Sequence, residues 1–253
     1  MPRFGGIFFI YLQKNIIMKA MIFAAGLGTR LAPLTNDKPK ALVEVGGKPM
    51  LEMQIENLKS YGVKYIVINI HHFADQIINF IKSKDFGIEI HFSDESDLLL
   101  DTGGGLKNVK KYFQKGDNFL VHNVDIYSDI NLKDFYNYHI TGNNLVTLAV
   151  KHRNSTKKLL FDENLQLCGW KSLSDGRKII SIEKPQYDEM AFSGIYVFNY
   201  KIFDEITKTG AFPIIPELLE ITKTQTIKAW VADNNNILDL GKHEALIQYE
   251  KLI

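Results

Sequence analysis

From residue 19 onward the chain alternates between short apolar runs and segments in which apolar residues recur every three or four positions. A short apolar run bounded by polar residues is typical of a buried strand, and the three-to-four spacing is typical of an amphipathic helix. Buried strands are predicted at 20–24, 65–70, 88–92 and 119–124. Helices are predicted between them, on the apolar residues of 51–58, 77–81 and 103–113. This alternation predicts an α/β fold with a mainly parallel, Rossmann-like central sheet.

The second half of the chain has a different pattern. Short strand-like segments follow one another with little helix between them, at 146–151, 158–161, 166–170, 179–183 and 191–198. A helix at 213–221, a strand at 227–231 and a closing helix at 242–253 come after them. We expect the strand-rich part to form a smaller β-rich region beside the cleft that opens beyond the carboxyl ends of the parallel strands.

The composition is that of an ordinary globular protein, with 45% hydrophobic and 23% charged residues. The formal net charge is +1 and the basic residues are spread along the chain, which gives no reason to expect a nucleic-acid partner. No apolar run reaches the roughly 18 residues of a membrane span, so no membrane partner is expected either. Cys168 is the single cysteine; it is expected to pack in the core and fits a reducing compartment such as the cytoplasm.

We expect residues 1–17 to be an extension outside the fold, either disordered or added by an upstream start codon, and residues 18–253 to form one domain. The apolar stretch 4–12 resembles the core of a signal peptide, but no small-residue cleavage site follows it. Met18 directly precedes the first predicted strand, as a natural start would.

A glycine-containing loop, residues 24–31, directly follows the first predicted strand. Glycines there let the backbone approach phosphate and present its N–H groups. A dinucleotide-binding fingerprint needs a third glycine where Leu31 stands, and a Walker loop needs Gly-Lys-Ser/Thr, so neither matches. Two cations, Arg30 and Lys40, flank the loop and can pair with a phosphate that its glycines admit. The loop by itself leaves a tight structural turn open as the alternative.

Several short motifs together resemble the sugar-1-phosphate nucleotidyltransferase family. The loop and the Pro-Lys-Ala-Leu that follows it at 39–42 are highly specific. The similarity covers nearly everything after Met18, through Asp-Thr-Gly-Gly-Gly at 101–105, Asn-Val-Asp at 123–125, Glu-Lys-Pro at 183–185, Ser-Gly-Ile-Tyr at 193–196 and Asp-Leu-Gly at 239–241. The resemblance implies a Rossmann-like nucleotidyltransferase fold, with the β-rich region on the sugar side of the cleft.

The resemblance implies a Mg²⁺ site made by Asp125 and Asp239. Asp125 ends a predicted strand, where a parallel sheet places its ligands, and two carboxylates with phosphate oxygens suit Mg²⁺. Beside these two aspartates the chain departs from the family: Val124 replaces a usual glycine and adds bulk beside the nucleotide, and Ile237 and Leu238 stand where a tryptophan is customary. A third departure is Ser193-Gly194, which replaces the commoner Asn-Ala-Gly. A turn aspartate is the structural alternative for Asp125.

The resemblance also assigns residues to two substrates, an NTP and a sugar-1-phosphate. The implied catalytic residues are Arg30, Lys40 and Asp125. The implied sugar-phosphate contacts are Glu183, Lys184, Ser193 and Gly194. The implied nucleotide contacts are Ala24, Ala25, Gly26, Gly28, Thr29, Arg30, Thr102, Gly103, Gly104 and Asn123.

The implied reaction is in-line attack by a sugar phosphate oxygen on the α-phosphorus of the NTP, with release of pyrophosphate. A sugar phosphate with a second pKa of about 6 is largely dianionic at neutral pH, so no general base is needed. Within the family the chain resembles N-acetylmuramate-1-phosphate uridylyltransferases and mannose-1-phosphate guanylyltransferases. Alternatives are a phosphocholine cytidylyltransferase-like enzyme, a non-catalytic nucleotide-sugar binding protein and a Rossmann oxidoreductase. The pattern specifies neither the base, the acceptor nor the oligomeric state.

Other side chains that are capable of chemistry have a structural explanation. His71 and His72 are adjacent on a strand end and point to opposite faces, so they cannot readily share a zinc ion with Asp75. The aromatic residues of 191–198 alternate on one strand and are expected in the core. Trp170 is expected there too, with a place in the sugar pocket as the alternative.

Overall fold

The computed structural model describes residues 18–252, so the extension predicted at 1–17 lies outside the described residues. The strands are β1 (Met18–Phe23), β2 (Glu44–Val45), β3 (Lys48–Pro49), β4 (Val63–Ile70), β5 (Glu89–Asp94), β6 (Asn118–Asn123), β7 (Ile126–Ser128), β8 (Val146–Lys151), β9 (Lys157–Phe161), β10 (Leu167–Ser172), β11 (Lys178–Ile180), β12 (Asp188–Asn199), β13 (Ile227–Val231) and β14 (Ile237–Asp239). The helices are α1 (Met50–Ser60), α2 (Ala74–Lys82), α3 (Asp101–Asn108), α4 (Leu132–Thr141), α5 (Ile202–Glu205), α6 (Ile214–Ile221) and α7 (His243–Glu250).

Ten of the described strands form one sheet. Its centre is parallel, with β6, β1, β4 and β5 side by side in that order. The long strand β12 joins β6 antiparallel and leads into the β-rich part. There β9, β10 and β11 continue from one segment of β12, and β8 and β13 continue from another. The parallel centre and the smaller β-rich part confirm the predicted fold class.

Both faces of the central strands are buried, as their continuous apolar runs require. Ala20 and Ile22 of β1 face a core that α1, α2, α4 and α7 cover. Met21, between them, faces a second core that α3, α5 and α6 cover. Successive side chains on a strand point to opposite faces, which divides one apolar run between two cores.

Helix α4 is present although the sequence analysis did not predict it. The side chain of Asn131 caps its N-terminus by accepting hydrogen bonds from the N–H groups of Lys133 and Asp134, at 3.1 and 3.2 Å. The buried residues behind this cap recur at helical spacing, at Leu132, Phe135, Tyr136 and His139. Both signals of a helix were therefore present in the sequence.

Several predicted boundaries are wrong, including two in the second half of the chain. The strand predicted at 179–183 ends at Ile180, because the carbonyl oxygen of Cys168 accepts from the N–H groups of both Ser181 and Ile182 and ends the ladder. The helix predicted at 242–253 spans only His243–Glu250. The motif at 183–185 consequently lies in a loop instead of directly after a strand.

The side chains expected in the core are largely there. Tyr196 and Phe198 are buried, and Trp170 packs at the edge of the second core. Cys168 is buried, and burial raises the pKa of its thiol. Of the helices within 18–252, none has the length and apolar character that a membrane span needs.

Candidate active site

Three parallel strands end in one row at the carboxyl edge of the sheet. Phe23 is paired in register with Asn69 on one side and with Asn123 on the other. The loops beyond this row enclose a cleft of about 560 Å³, which is the position where open α/β sheets bind ligands. Its lining consists of Phe23, Ala25, Gly26, Arg30, Lys40, Asn69, Glu95, Leu99, Asp101, Thr102, Asn123, Asp125 and Ala211.

The glycine loop is held by Asn69. The Oδ1 atom of Asn69 accepts hydrogen bonds from the backbone N–H of Ala24 at 2.7 Å and of Ala25 at 3.3 Å. Gly28 has a φ of +69°, and a Cβ there would lie only 2.8 Å from the Cβ of Lys40. Glycine is therefore needed at position 28 for the loop to pack against Lys40. Thr29 follows it in an exposed one-turn 3-10 helix.

Four charged side chains meet at one end of the cleft: Arg30, Lys40 and Asp125 line it, and Asp239 contacts Arg30 beside it. Lys40 Nζ lies 2.7 Å from Asp125 Oδ2, Arg30 Nη1 lies 3.0 Å from Asp239 Oδ2, and Arg30 Nη2 lies 3.7 Å from Asp125 Oδ2. Lys40 and Asp125 have side-chain exposures of only 14% and 8%. Because water screens such a pair weakly, removing one partner leaves the other charge desolvated and costly.

A two-stranded ribbon brings the two aspartates together. β14 pairs antiparallel with β7, and Asp239 is opposite Ile126, the residue after Asp125. The backbone N–H of Leu240 donates to the carbonyl oxygen of Asp125 at 2.7 Å. A Cβ on Gly241 would lie 2.7 Å from Asp125 Oδ2 and 2.9 Å from Asp239 Oδ1, so both carboxylates face the same small volume.

The carboxylates of Asp125 and Asp239 fit a magnesium ion that takes its remaining ligands from a bound phosphate and water. Within residues 18–252 no group of three or more His, Cys, Asp or Glu side chains is placed to hold a metal ion. Mg²⁺ is commonly held by one or two carboxylates together with substrate phosphates and retained waters, so two carboxylates are sufficient. Gly241 adds no side chain to the space that the two carboxylates face, and Arg30 Nη2 borders the same space, 2.8 Å from where a Cβ on Gly241 would lie.

Asn69 and Glu95 are cleft residues that the sequence analysis missed. Asn69 Nδ2 donates to Glu95 Oε1 at 2.8 Å, and the N–H of Leu100 donates to Glu95 Oε2 at 3.1 Å. Burial raises the pKa of the Glu95 carboxyl, although both of these hydrogen bonds oppose the rise. Both residues are polar and follow or end an apolar strand on the carboxyl side, which was a usable signal.

Only part of the glycine segment at 102–104 lines the cleft. Thr102 lines the cleft, whereas Gly103 and Gly104 are buried beneath it. Their N–H groups donate to the carbonyl oxygen of Phe212, at 2.8 and 3.2 Å, and a Cβ on Gly103 would lie 2.4 Å from the Phe212 ring. In this arrangement the glycines allow close packing of α3 against the segment before α6.

The four expected sugar-phosphate residues lie outside the cleft lining. Lys184 Nζ lies 2.9 Å from Asp162 Oδ2, and this hydrogen bond raises the pKa of Lys184. Glu183 accepts from the hydroxyl of Tyr187 at 3.2 Å. Ser193 is buried, and its Oγ has no hydrogen-bond partner among the described residues.

Gly194 packs closely against residues next to the cleft. Its φ is +77°, and a Cβ there would lie 2.7 Å from Ile126 Cγ1 and 3.0 Å from Asn123 Nδ2. The expected crowding by Val124 is wrong, because its side chain is fully buried in the first core and does not line the cleft. The substitution therefore adds no bulk to the cleft lining.

The sequence of residues 19–253 matches the family model described as nucleotidyl transferase. The chain belongs to the nucleotidyl transferase family. The resemblance seen in the sequence motifs is thereby confirmed. The family match spans the glycine loop, the four charged residues of the cleft and the β-rich part.

Curated relatives in the nucleotidyl transferase family include two sugar-1-phosphate enzymes. The chain is 34% identical over 222 residues to mannose-1-phosphate guanyltransferase of Gibberella zeae, covering 86% of this chain and 57% of that one. It is 42% identical over 109 residues to N-acetylmuramate alpha-1-phosphate uridylyltransferase of Caulobacter vibrioides, covering 42% of this chain and 45% of that one. The alignments thus span about half the length of these relatives.

Solved structures of similar fold include HddC from Yersinia pseudotuberculosis in complex with GMP-PN. It has a TM-score of 0.74 and 26% identity, and the match covers 93% of this chain and 100% of that one. A UDP-glucose pyrophosphorylase complexed with UDP-glucose has a TM-score of 0.77 at 17% identity, covering 93% of this chain and 98% of that one, and so shows the fold alone.

Proposed function

We propose that this protein transfers a nucleoside monophosphate from an NTP to a hexose-1-phosphate and releases pyrophosphate. The observation that carries the proposal is the meeting of Arg30, Lys40, Asp125 and Asp239 at one end of the cleft beyond the parallel strands. The family relatives that act on mannose-1-phosphate and on N-acetylmuramate alpha-1-phosphate support the substrate class.

In this proposal the residues of the cleft position two phosphates. A sugar phosphate oxygen forms a bond to the α-phosphorus of the NTP, the bond from that phosphorus to the α–β bridging oxygen breaks, and pyrophosphate leaves with the electron pair. Holding the reactants in line can lower the barrier by about 7–11 kcal/mol. No protein nucleophile takes part, because the dianionic sugar phosphate attacks directly.

The two basic side chains have separate roles. Lys40 is largely buried and directed at Asp125, so it supplies a fixed positive charge at the base of the cleft. Arg30 is the most exposed of the four charged side chains at 55%, so it reaches a phosphate at the cleft mouth with the least rearrangement. Both stabilise the negative charge that develops toward pyrophosphate.

Asp125 and Asp239 are the residues that would hold Mg²⁺. When bound, the ion would neutralise phosphate charge and orient the phosphate oxygens. The carboxylates keep Lys40 and Arg30 at the site by pairing with them. We further propose that the reaction takes place in the cytoplasm, which the single buried thiol of Cys168 suits.

The test is pyrophosphate release from a matrix of four NTPs and dTTP against several sugar-1-phosphates and phosphocholine, with Mg²⁺ or EDTA. Metal-dependent release with one base and one sugar-1-phosphate supports the proposal. Release with phosphocholine alone favours the phosphocholine cytidylyltransferase-like alternative. Folded protein that binds NTP but releases no pyrophosphate from any pair contradicts the proposal and favours a nucleotide-sugar binding protein.

A further inference from the structure

A second cavity lies beside the candidate active site. Its volume is about 550 Å³, and it is lined by the basic side chains of Arg153, Lys158 and Lys242 together with the polar residues 154–156. We call it the basic cavity. Leu173, an exposed apolar residue, completes the lining.

Two contacts join the basic cavity to the candidate active site. Lys242 Nζ lies 3.9 Å from Oδ2 of Asp239, one of the two carboxylates that fit a metal ion. Arg153 Nη2 donates at 3.0 Å to the carbonyl oxygen of Phe192, the residue before Ser193. The cavity therefore lies on the side of the cleft where β12 and the start of α7 approach the aspartates.

The charge of the basic cavity is not balanced by its own lining. Of the described residues that line it, none is acidic. Within residues 18–252 neither Arg153 nor Lys158 forms a salt bridge. Arg153 Nη2 and Lys158 Nζ instead donate to backbone carbonyl oxygens, those of Phe192 at 3.0 Å and of Arg153 at 2.5 Å. Arg153 Nε is buried and has no hydrogen-bond partner among the residues that the structure describes. An anion bound in the cavity lowers the electrostatic repulsion between the positive charges that line it.

We infer that the basic cavity binds a second anionic group on the sugar acceptor, in addition to its 1-phosphate. The inference rests on the proposed function. Arg153 and Lys158 pair with the anionic group, and the side chains of Asn154, Ser155 and Thr156 are available for sugar hydroxyls. A cationic acceptor such as phosphocholine is disfavoured there, because its ammonium group meets like charges and the cavity lining has no aromatic side chain.

Matched acceptors test this inference. Each pair differs by one anionic group: glucose-1-phosphate with glucuronate-1-phosphate, N-acetylglucosamine-1-phosphate with N-acetylmuramate-1-phosphate, and glucose-1-phosphate with glucose-1,6-bisphosphate. The first two pairs add a carboxylate and the third adds a phosphate, so they distinguish the source of the charge. For at least one pair we expect kcat/KM of the wild-type protein to be about tenfold or more higher for the anionic member.

The variants are Arg153→Gln and Lys158→Gln, with Arg153→Lys as the charge-conserving form. We expect each glutamine variant to raise KM for the anionic acceptor about tenfold and to change kcat/KM for its neutral partner less than about twofold. Arg153→Lys should retain most of the discrimination. Lys223→Gln, which removes an exposed charge just before β13, is the matched control and should behave as wild type. Thermal melting checks that each variant folds.

The inference is overturned if wild-type kcat/KM is equal for both members of every pair. It is also overturned if Arg153→Gln and Lys158→Gln lower kcat/KM by the same factor for the anionic and the neutral acceptor. Absence of pyrophosphate release from any pair contradicts the proposed function instead. Isothermal calorimetry with the same acceptor pairs then tests the cavity without turnover. Tighter binding of the anionic member to the wild-type protein, and loss of this difference in the glutamine variants, supports the inference. Equal affinities for both members overturn it.

Discussion

The ammonium group of Lys40 lies 2.7 Å from the carboxylate of Asp125, although the two residues are 85 positions apart in the chain. The contact ties the segment that follows the glycine loop to the end of β6. The salt bridge keeps both side chains at the cleft, and it is screened little by water because both are largely buried. The same pair supplies one cation for phosphate and one carboxylate for a metal ion.

Replacing Asp125 with asparagine removes the charge at nearly constant shape. We expect Asp125→Asn to lower kcat for pyrophosphate release at least about a hundredfold, because a metal ligand and the partner of Lys40 are lost together. Asp134→Asn, an exposed acid on α4, is the control and should change kcat less than about twofold. Full activity of Asp125→Asn in saturating Mg²⁺ would remove Asp125 from the proposed metal site.

Adding a methyl group at Gly241 crowds the two aspartates directly. The new Cβ would lie within 2.9 Å of Asp125 Oδ2, Arg30 Nη2 and Asp239 Oδ1. We expect Gly241→Ala to lower kcat more than tenfold and to lower the free energy of unfolding by about 1–3 kcal/mol, measured by steady-state kinetics and urea denaturation.

Gly47→Ala separates backbone strain from crowding of the site. Gly47 has a φ of +79° and open space where its Cβ would be, in the turn between β2 and β3. We expect it to lose about 1 kcal/mol of stability with kcat unchanged. If Gly241→Ala behaved like Gly47→Ala in both assays, the close approach of the two aspartates to Gly241 would have no part in catalysis.

Asn69 is expected to position the glycine loop. Asn69→Ala removes the hydrogen-bond partner of the N–H groups of Ala24 and Ala25 and of Oε1 of Glu95, whose Oε2 keeps the N–H of Leu100. The free energy of unfolding should therefore fall by about 1–3 kcal/mol. KM for the NTP should rise more than kcat falls, because the loop loses its orientation and the charged residues remain. Asn79→Ala, on the exposed face of α2, should leave both quantities unchanged. An unaltered KM in Asn69→Ala would limit Asn69 to a structural role.

Acid should destabilise the fold through two buried histidines. Burial lowers the pKa of His122 and of His139 from 6.5 to about 4. Each binds a proton more weakly in the folded chain, so stability falls as the pH falls from 6.5 toward 4, by up to about 1.4 kcal/mol per pH unit for each histidine. Glu95, whose pKa burial raises, acts in the opposite direction above pH 4.5.

Single variants isolate one histidine from the other titrating groups. We expect His139→Gln to reduce the slope of unfolding free energy against pH between 6.5 and 4 by the contribution of one histidine. Urea denaturation at half-unit steps of pH measures it. If the unfolding free energy of His139→Gln had the same slope against pH as that of wild type, the imidazole of His139 would not be neutral in the folded protein as expected.

The sequence predicted much of the cleft because its residues belong to local motifs. Ala25, Gly26, Arg30, Lys40 and Thr102 lie within short segments that follow apolar strands, and each lines the cleft. Their roles in binding and catalysis stay predictions. Asn69 and Glu95 were missed because a single polar residue at a strand end has no motif around it. The segment at 183–185 was recognised, but its contact with Asp162 depends on the neighbouring hairpin of β9 and β10.

The sequence by itself determined the alternation of strands and helices, the α/β class and the family, because apolar periodicity and short motifs are local properties of a chain. Only the tertiary structure decided that Val124 faces the core, that Gly103 and Gly104 pack against Phe212, and that a basic cavity lies beside the aspartates. It also decided that Arg30 contacts Asp239, 209 positions away. Such contacts depend on how β7, β12 and β14 meet, and strand pairing between distant segments leaves no periodic signal in the residues themselves.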